Sequence, residues 1–153
     1  MADTLPTKIS LTVVTRERKF IEVDVDEVVL PASDGEIGVL PGHTPLLTTL
    51  RICVLRYRAG STVERIVISW GFAEVLPDRV TILAQLAERA EDIDVARAEE
   101  SKKRAEGRLT QPKDVDYERA RTALMKSLTR LQVSSRVQLA GRVGRQRMPP
   151  PQA

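Results

Sequence analysis

The chain has 153 residues, of which 42% are hydrophobic, and its formal net charge is +3 at pH 7. This length suits one domain, or a small domain with an appendage, and it is sufficient to bury a core. No apolar run approaches the ~20 residues of a transmembrane helix, and the single cysteine, Cys53, excludes an intrachain disulfide. Since the N-terminus resembles neither a signal peptide nor a transit peptide, we expect a soluble cytosolic protein.

Charge is divided unevenly along the chain. Residues 1–90 hold 10 basic and 12 acidic side chains, whereas residues 91–153 hold 14 basic and 9 acidic ones. From Arg119 onward there are eight basic residues and no acidic residue. An asymmetry of this kind indicates a partner for the basic half, either nucleic acid or an acidic protein surface.

The first half of the chain has the pattern of short β-strands. Runs rich in valine, isoleucine and leucine, separated by turn residues, occupy 9–13, 20–25, 28–30, 52–57, 63–70, 72–76 and 80–86. Such runs with turn signals about every 8–12 residues are typical of a sandwich or flattened barrel without helices. Because aromatic residues are few, aliphatic side chains must build the core, and we expect Cys53 to pack there.

A tight corner between two strands is predicted at residues 35–47, with the sequence GEIGVLPGHTPLL. Its glycines permit turn conformations, and its two prolines are restricted to turns, sheet edges or strand ends. The polar side chains of the corner are Glu36 and His43. A corner of this kind fixes which face of each flanking strand points inward.

A first helix is predicted after the last strand, where the composition changes to alanine, glutamate, lysine and arginine. Asp92 or Asp94 can cap its N-terminus. We expect the helix to end near Leu109, because Pro112 cannot continue it.

A second helix is predicted to follow, capped by Asp114 or Asp116 and running to about Val137. Its expected apolar face consists of Tyr117, Ala120, Leu124, Leu128 and Leu131. The short connection predicts an antiparallel hairpin. Each helix is close to the marginal length of ~12–15 residues for independent stability, and an alanine-rich seam contributes little packing, so the hairpin is expected to detach readily.

Several segments resemble the epsilon subunit of rotary ATP synthases. They are the corner at 35–47, WGFAEV at 70–75, VTILA at 80–84, IDVARA at 93–98 and DVDYERA at 114–120. The resemblance implies an α+β fold: an all-β sandwich or flattened barrel at 1–88, followed by an antiparallel two-helix hairpin at 89–137. Residues 138–153 lie beyond the resemblance and are expected to form a disordered basic tail.

The resemblance also implies a non-catalytic subunit of the central stalk. Members of the family lie beside the gamma subunit and on the ring of c subunits, and couple ion-driven rotation to the alpha and beta subunits. Their helices can inhibit ATP hydrolysis. The implied location is the cytoplasmic side of the bacterial plasma membrane, reached only through the complex. Consistent with a non-catalytic role, the sequence has no phosphate-binding loop and no nucleophile–base pair.

Two contact regions follow from the resemblance. Glu36, Gly38 and His43 match positions that face the c-ring, although Glu36 can also be read as a solvated turn carboxylate. His43 could act as a pH switch, but a structural role at the corner is the preferred interpretation. Arg119, Lys126 and Arg130 of the second helix are expected either to meet an acidic loop of the beta subunit or to remain solvated.

No cofactor is required, but a regulatory ATP site is implied. The residues at matching positions are Glu88, Ile93, Asp94, Arg97, Ala98, Arg104, Lys126 and Arg130. Clustered guanidinium groups suit phosphates. Lys126 stands where strong ATP binders of the family carry arginine, and the same residues can simply cap and pack the hairpin.

The alternative function is nucleic-acid binding, which the sequence pI of about 9.3 and the basic C-terminal residues would suit. The strand-rich half is net acidic and has few aromatic residues on which bases could stack, so we expect no nucleic-acid partner. An enzymatic function has no supporting group of residues.

Overall fold

The computed structural model describes residues 4–32, 34–111 and 116–145. The chain divides into two compact units, residues 1–89 and the residues from Ala90 onward. The described part of the first unit contains eight strands: β1 (Ile9–Thr15), β2 (Lys19–Val25), β3 (Glu27–Ala32), β4 (Gly35–Val39), β5 (Leu46–Leu50), β6 (Cys53–Ala59), β7 (Thr62–Leu76) and β8 (Arg79–Arg89). In the second unit, a short 3₁₀ turn (Ala90–Asp92) precedes α1 (Val95–Leu109) and α2 (Tyr117–Arg145). The expected α+β class, a β-sandwich followed by two helices, is confirmed.

The strands of the first unit are antiparallel except for the parallel pair β1 and β8. Their order is β2-β1-β8-β7-β5-β3-β4, and β6 pairs with both β3 and β7. The long strand β7 changes partner along its length, from β6 in its first half to β5 in its second half. It therefore belongs to both layers of the sandwich.

The change of partner occurs at Trp70 and Gly71. Trp70 has a φ of 54°, a left-handed conformation that is unfavourable for a large side chain. Gly71 passes so close to β8 that a Cβ on it would lie 2.2 Å from the carbonyl oxygen of Leu83. The sequence predicted two separate strands at 63–70 and 72–76, which is wrong: Gly71 bends one continuous strand without ending it.

Aliphatic side chains fill the sandwich, as the composition requires. The largest fully buried side chains are Ile9, Leu11, Leu30, Leu50, Leu55, Ile66, Ile68 and Ile82, together with several valines. Cys53 is part of this core, and burial raises the pKa of its thiol to about 12. The thiolate is therefore scarce at neutral pH, as expected for a cysteine that serves packing.

The predicted caps are found on both helices. Asp94, not Asp92, caps α1: its side chain accepts a hydrogen bond from the backbone N–H of Arg97 at 3.0 Å. Asp116 accepts the equivalent bond from the N–H of Arg119 at 3.1 Å. The alternative cap at Asp114, and Pro112, lie outside the described residues. Helix α1 ends at Leu109, where the sequence placed its end.

The C-terminal end of α2 differs from the prediction. The helix continues to Arg145 instead of ending near Val137, so residues 138–145 are helical and are not part of a disordered tail. The segment after Val137 contains glycines, which weaken a helix, but no proline before residue 149, so nothing breaks it. Residues 146–153 lie outside the described part of the chain.

The buried side of α2 agrees only in part with the expected apolar face. Ala120 is buried and Leu124 and Leu131 are half-buried, as expected, but Tyr117 and Leu128 are exposed. Ser127, Val133 and Ser134 are also buried and were not expected. The buried residues of α1 are Ala98 and Ala105, and the two helices pack against each other. The seam of the hairpin thus consists mainly of alanine and serine. The two serine hydroxyls donate to backbone carbonyls one turn earlier, at 2.9 Å each, so burial leaves neither hydroxyl unpaired.

Candidate functional site

The corner predicted at residues 35–47 is in part a strand. Residues Gly35–Val39 form β4, which pairs with β3 as a hairpin, and the turn proper begins at Leu40. Sequence reasoning missed this strand because its two glycines are atypical of strands. Since side chains alternate across a strand, Glu36 and Gly38 lie on the same exposed face of β4. The third expected contact residue, His43, follows in the turn.

His43 has a structural role in this turn. Its ring Nδ1 lies 2.7 Å from the carbonyl oxygen of Thr44, which can only accept, so Nδ1 carries the proton and donates. The backbone N–H of His43 donates to Leu40, and that of the preceding Gly42 donates to Pro77 at 2.7 Å. The Gly42 bond ties the turn to the β7–β8 connection, and the His43 bonds lie within the turn. The geometry supports the preferred structural interpretation of His43.

Glu36 is paired within the first unit. Its Oε2 accepts a hydrogen bond from Nη2 of Arg56 on β6 at 2.8 Å, and the carboxylate remains largely exposed. This pair could not be predicted from local sequence patterns, because Arg56 lies 20 residues further along the chain. A partner that approaches β4 therefore meets an ion pair and not a single carboxylate.

A second group of charges is centred on Asp26, between β2 and β3. Its carboxylate accepts a hydrogen bond from Lys8 Nζ and another from the backbone N–H of Gly60 at 2.7 Å. Arg58 Nη1 lies 3.6 Å from Asp26 Oδ2. The ammonium group of Lys8, followed by the Gly60 N–H, holds the pKa of Asp26 below its usual value. These bonds connect the N-terminal segment to the β6–β7 turn.

Four large apolar side chains are exposed on the face formed by β5, β7 and β8. Leu47 is 72% exposed, Phe72 56%, Leu83 55% and Trp70 39%. Phe72 and Leu83 are directly paired across β7 and β8. We call these four residues the apolar face. Three of them, Trp70, Phe72 and Leu83, line a groove of about 650 Å³ that Arg16 and Arg51 also line.

The apolar face was not predicted from the sequence. Its residues come from three strands that are far apart in the sequence and adjacent only in the folded sheet. A partial signal exists in β7: Phe72 alternates with the buried Ala73 and so belongs to the opposite side of the strand. An exposed apolar group of this size on a folded unit usually marks a contact with another molecule.

The residues of the expected ATP site are divided between the two units. Glu88 lies at the end of β8 in the first unit, and the others lie in the second. Ile93 and Ala98 are buried and Asp94 is the helix cap, so these three have local structural roles. The available cations are on two helices: Arg97 and Arg104 on α1, and Lys126 and Arg130 on α2.

The four cationic side chains differ in their exposure and in their ion pairs. Arg97 is exposed, whereas Arg104 makes a 3.4 Å ion pair with Glu100 one turn earlier. Lys126 and Arg130 are half-buried on α2. With Arg119, they follow spacings of seven and four residues, which place all three on one side of the helix. Glu118 is the only acidic residue in the sequence of α2, so the charged side chains that follow it are all basic.

The helices do not have the composition of membrane spans. Within the described residues, no helix is both long enough and apolar enough to cross a bilayer.

Comparison with known proteins assigns both halves of the chain. The β-sandwich domain of the ATP synthase delta/epsilon chain matches residues 8–90, and the long α-helix domain of the same chain matches residues 91–135. The ATP synthase epsilon chain of Syntrophobacter fumaroxidans is 48% identical over 130 residues, covering 84% of this chain and 97% of that protein. The epsilon chain of Halalkalibacterium halodurans is 46% identical over 134 residues, covering 86% and 100%.

Solved structures with the same fold come from mitochondrial ATP synthases. A chain in the OSCP/F1/c-ring structure from Euglena gracilis has a TM-score of 0.68 at 22% identity, covering 92% of this chain and 85% of that one. A chain in the central stalk/c-ring structure from Tetrahymena thermophila has a TM-score of 0.52 at 12% identity, covering 88% and 98%. At these identities the likeness concerns the fold alone.

Proposed function

The chain belongs to the delta/epsilon chain family of ATP synthases, and we propose that it couples rotation of a c-ring to ATP synthesis as the epsilon subunit of the central stalk. Two family domains, matched in order over residues 8–135, are the observation that carries this proposal. The bacterial relatives match over nearly their whole length and are named epsilon chains. We propose that the subunit is non-catalytic and that it joins the cytoplasmic side of the bacterial plasma membrane through the complex.

The apolar face is the proposed docking surface for the gamma subunit. Its four large apolar side chains are exposed, and burying a side chain of this size contributes about 1.5–3 kcal/mol. Arg16 and Arg51, which line the groove, would supply a polar rim, as is usual around the apolar centre of an interface. A permanent neighbour in the rotor explains why exposed apolar residues are tolerated.

The corner is the proposed contact with the polar loops of the c-ring. Glu36 and Gly38 lie on one exposed face of β4, and the hydrogen bonds of His43 and Gly42 hold the following turn in place. The pair of Glu36 and Arg56 offers a partner both an acceptor and a donor side by side. An exposed pair of this kind contributes only about 0–1 kcal/mol to the isolated subunit, so it can be exchanged for contacts with a partner.

The helices are the proposed inhibitory element of the subunit. Their seam buries alanine and serine, and such small side chains lose little hydrophobic stabilisation when the helices separate. When α2 is extended, Arg119, Lys126 and Arg130 would present a basic stripe to an acidic loop of the beta subunit. ATP, held by Arg97 and the cations of α2, is proposed as the ligand that keeps the hairpin folded.

Assembly provides the direct test of this function. Membranes that contain the complex are solubilised, and the catalytic head is purified with wild-type chain or with a Phe72→Glu, Leu83→Glu double variant. We expect the wild-type chain to co-purify with gamma and the double variant to be lost. Val63→Glu adds a charge at another exposed apolar position of β7 and is the control that should remain bound. Retention of the folded double variant at wild-type stoichiometry would contradict gamma docking through this face.

A further inference from the structure

Two arginines face each other directly across the sandwich surface. Arg56 on β6 and Arg65 on β7 are register partners in the antiparallel pair. Side chains in such positions have their Cβ atoms about 4.5–5.5 Å apart, and like charges placed there repel. Arg58 projects from the same side of β6, two residues further along. The arrangement therefore concentrates three guanidinium groups on one small area.

The three arginines are not equally neutralised. Arg56 pairs with Glu36 at 2.8 Å, and Arg58 pairs with Glu27 at 3.4 Å. For Arg65, the described residues provide no ion pair, and its Nε is buried without a hydrogen-bond partner. A buried guanidinium N–H without an acceptor is unusual, because buried polar groups are normally satisfied.

The surrounding charges leave an excess of one positive charge. Lys8, Arg56, Arg58 and Arg65 stand against the carboxylates of Asp26, Glu27 and Glu36. Beside them, a cavity of about 300 Å³ is lined by the three arginines and by Glu27, Val29 and Val63. The unsatisfied donor, the local positive charge and the available space all coincide at Arg65.

We propose that this cavity is a binding site for a phosphate group, which would accept hydrogen bonds from Arg65 and Arg56 together. Guanidinium groups bind phosphate oxygens through paired, charge-assisted hydrogen bonds. A bound anion would accept hydrogen bonds from the guanidinium group of Arg65 and screen the repulsion between the facing arginines. A tetrahedral anion can accept from two strands at once, whereas the carboxylates already present each engage one arginine and leave Arg65 without a partner. We call this the phosphate pocket.

Inorganic phosphate is the first probe, used with the full isolated chain. Thermal unfolding and isothermal titration are measured with increasing phosphate at constant ionic strength, with chloride as the balancing anion. A ligand that binds only the folded state raises the melting temperature with its concentration. We expect such a rise for the wild type. Arg65→Met should abolish this rise. Arg65→Lys should weaken binding by about tenfold or more, because an ammonium group replaces the planar guanidinium that donates two parallel hydrogen bonds.

Controls separate binding from a structural role of Arg65. Arg79→Met removes an exposed positive charge elsewhere in the first unit and should preserve the response to phosphate. In chloride alone, Arg65→Met should melt no lower than wild type, since it removes the electrostatic repulsion between Arg65 and Arg56. Three results would each overturn the proposal. They are a lower melting temperature for Arg65→Met than for wild type in chloride, a wild-type melting temperature that does not change with phosphate, and an equal rise with acetate.

The phosphate could come from solution or from a lipid headgroup, and vesicles distinguish these sources. The chain is sedimented with vesicles of phosphatidylglycerol or of phosphatidylcholine. Binding to the anionic vesicles that depends on Arg65 and is competed by inorganic phosphate would identify a headgroup. Phosphate binding without Arg65-dependent sedimentation would identify a soluble phosphate. None of these measurements depends on assembly with other subunits, so failure of the phosphate pocket leaves the proposed central-stalk function untouched.

Discussion

Glu36 Oε2 and Arg56 Nη2 lie 2.8 Å apart, joining β4 to β6 across the exposed surface of the sandwich. The carboxylate expected to face the c-ring is thus positioned by a side chain from another strand. Because both groups are partly solvated, the pair orients Glu36 more than it stabilises the fold. This relationship allows the functional and structural contributions of Glu36 to be measured separately.

Replacing Glu36 by lysine should weaken attachment of the catalytic head to the membrane sector. The substitution removes the acceptor and places a second cation beside Arg56, while stability should change by no more than about 1 kcal/mol. Reconstituted complexes are assayed for ATP-driven proton pumping and for ATP synthesis. Glu17→Lys reverses a charge in an exposed turn elsewhere and should leave coupling unchanged. Normal pumping and synthesis with Glu36→Lys would show that the corner is not the rotor contact.

Acid should unfold the chain partly through Asp26. Because its folded-state pKa is lowered, chiefly by the hydrogen bond from Lys8, the ionised form is favoured in the folded protein. Its contribution to the free energy of unfolding is therefore fully present above the unfolded-state pKa of ~3.9, and is lost as pH falls through the lower folded value. Asp26→Asn should reduce stability at neutral pH, and the deficit should shrink below about pH 4. Denaturant unfolding at several pH values measures this, with Asp24→Asn as the control. A deficit that stays constant down to pH 2 would contradict the linkage.

Gly71 should tolerate no side chain. A Cβ there would lie 2.2 Å from the Leu83 carbonyl oxygen, and the contact is with backbone, which moves only if β7 separates from β8. Gly71→Ala should therefore destabilise the sandwich by about 1–3 kcal/mol or more. Gly38→Ala, where nothing lies within 4 Å, should be nearly neutral. Equal chemical denaturation midpoints for the two variants would show that the bend at Trp70 is adaptable.

Local sequence patterns predicted the elements of this fold better than they predicted its surfaces. Alternation found six of the eight strands and missed β4 and β5, which lie within the predicted corner and just after it. The composition change at residue 87 found the helices, because such signals lie within one element. Part of the buried side of α2 was missed, since Ser127 and Ser134 are polar in the sequence and become compatible with burial only through their bonds to backbone carbonyls. A composition-based reading assigns such residues to solvent.

The charged surfaces could not have been predicted, because they depend on register between distant strands. Glu36 meets Arg56 across 20 residues of sequence, and Arg56 faces Arg65 only because the β6–β7 hairpin has its particular register. A shift of one strand by one residue would place the two arginines on opposite faces of the sheet. The apolar face likewise depends on the pairing of β5 and β8 with β7. The resemblance to a family rested on short sequence motifs, whereas the pairing of Glu36 with Arg56 and of Arg56 with Arg65 is visible only in the structure.

ATP should stabilise the isolated chain if Arg97 and the cations of α2 bind its phosphates. Binding contributes RT ln(1 + [L]/Kd), roughly 2.7 kcal/mol at a hundredfold excess over Kd. Arg97→Ala should remove the shift in melting temperature, and Lys126→Arg should increase it by restoring a forked contact. Arg108→Ala removes an exposed arginine in the last turn of α1 and is the matched control. If calorimetry detects no binding heat at saturating ATP and the melting temperature does not change, the segment 93–98 has only capping and packing roles.

Inhibition of ATP hydrolysis should reside in α2 and should be electrostatic. Single exposed ion pairs contribute only ~0.2–1 kcal/mol, so single substitutions should have small effects and combined ones large effects. Truncation before Asp114 should raise hydrolysis by the complex while synthesis stays coupled, because the sandwich is a separate compact unit.

The combined change of Arg119, Lys126 and Arg130 to alanine should reproduce most of that release. The control replaces Arg121 and Arg136, exposed cations of the same helix outside the proposed stripe, and should leave inhibition intact. Raising the salt concentration should reduce inhibition of ATP hydrolysis more in the wild type than in the triple variant. The screening length falls to ~3 Å at 1 M salt, and the triple variant has fewer charges to screen. If the truncated complex hydrolyses ATP no faster than the intact one, α2 is not an inhibitor in this protein. If truncation activates but the triple variant does not, inhibition depends on the bulk of the extended helix and not on its charge.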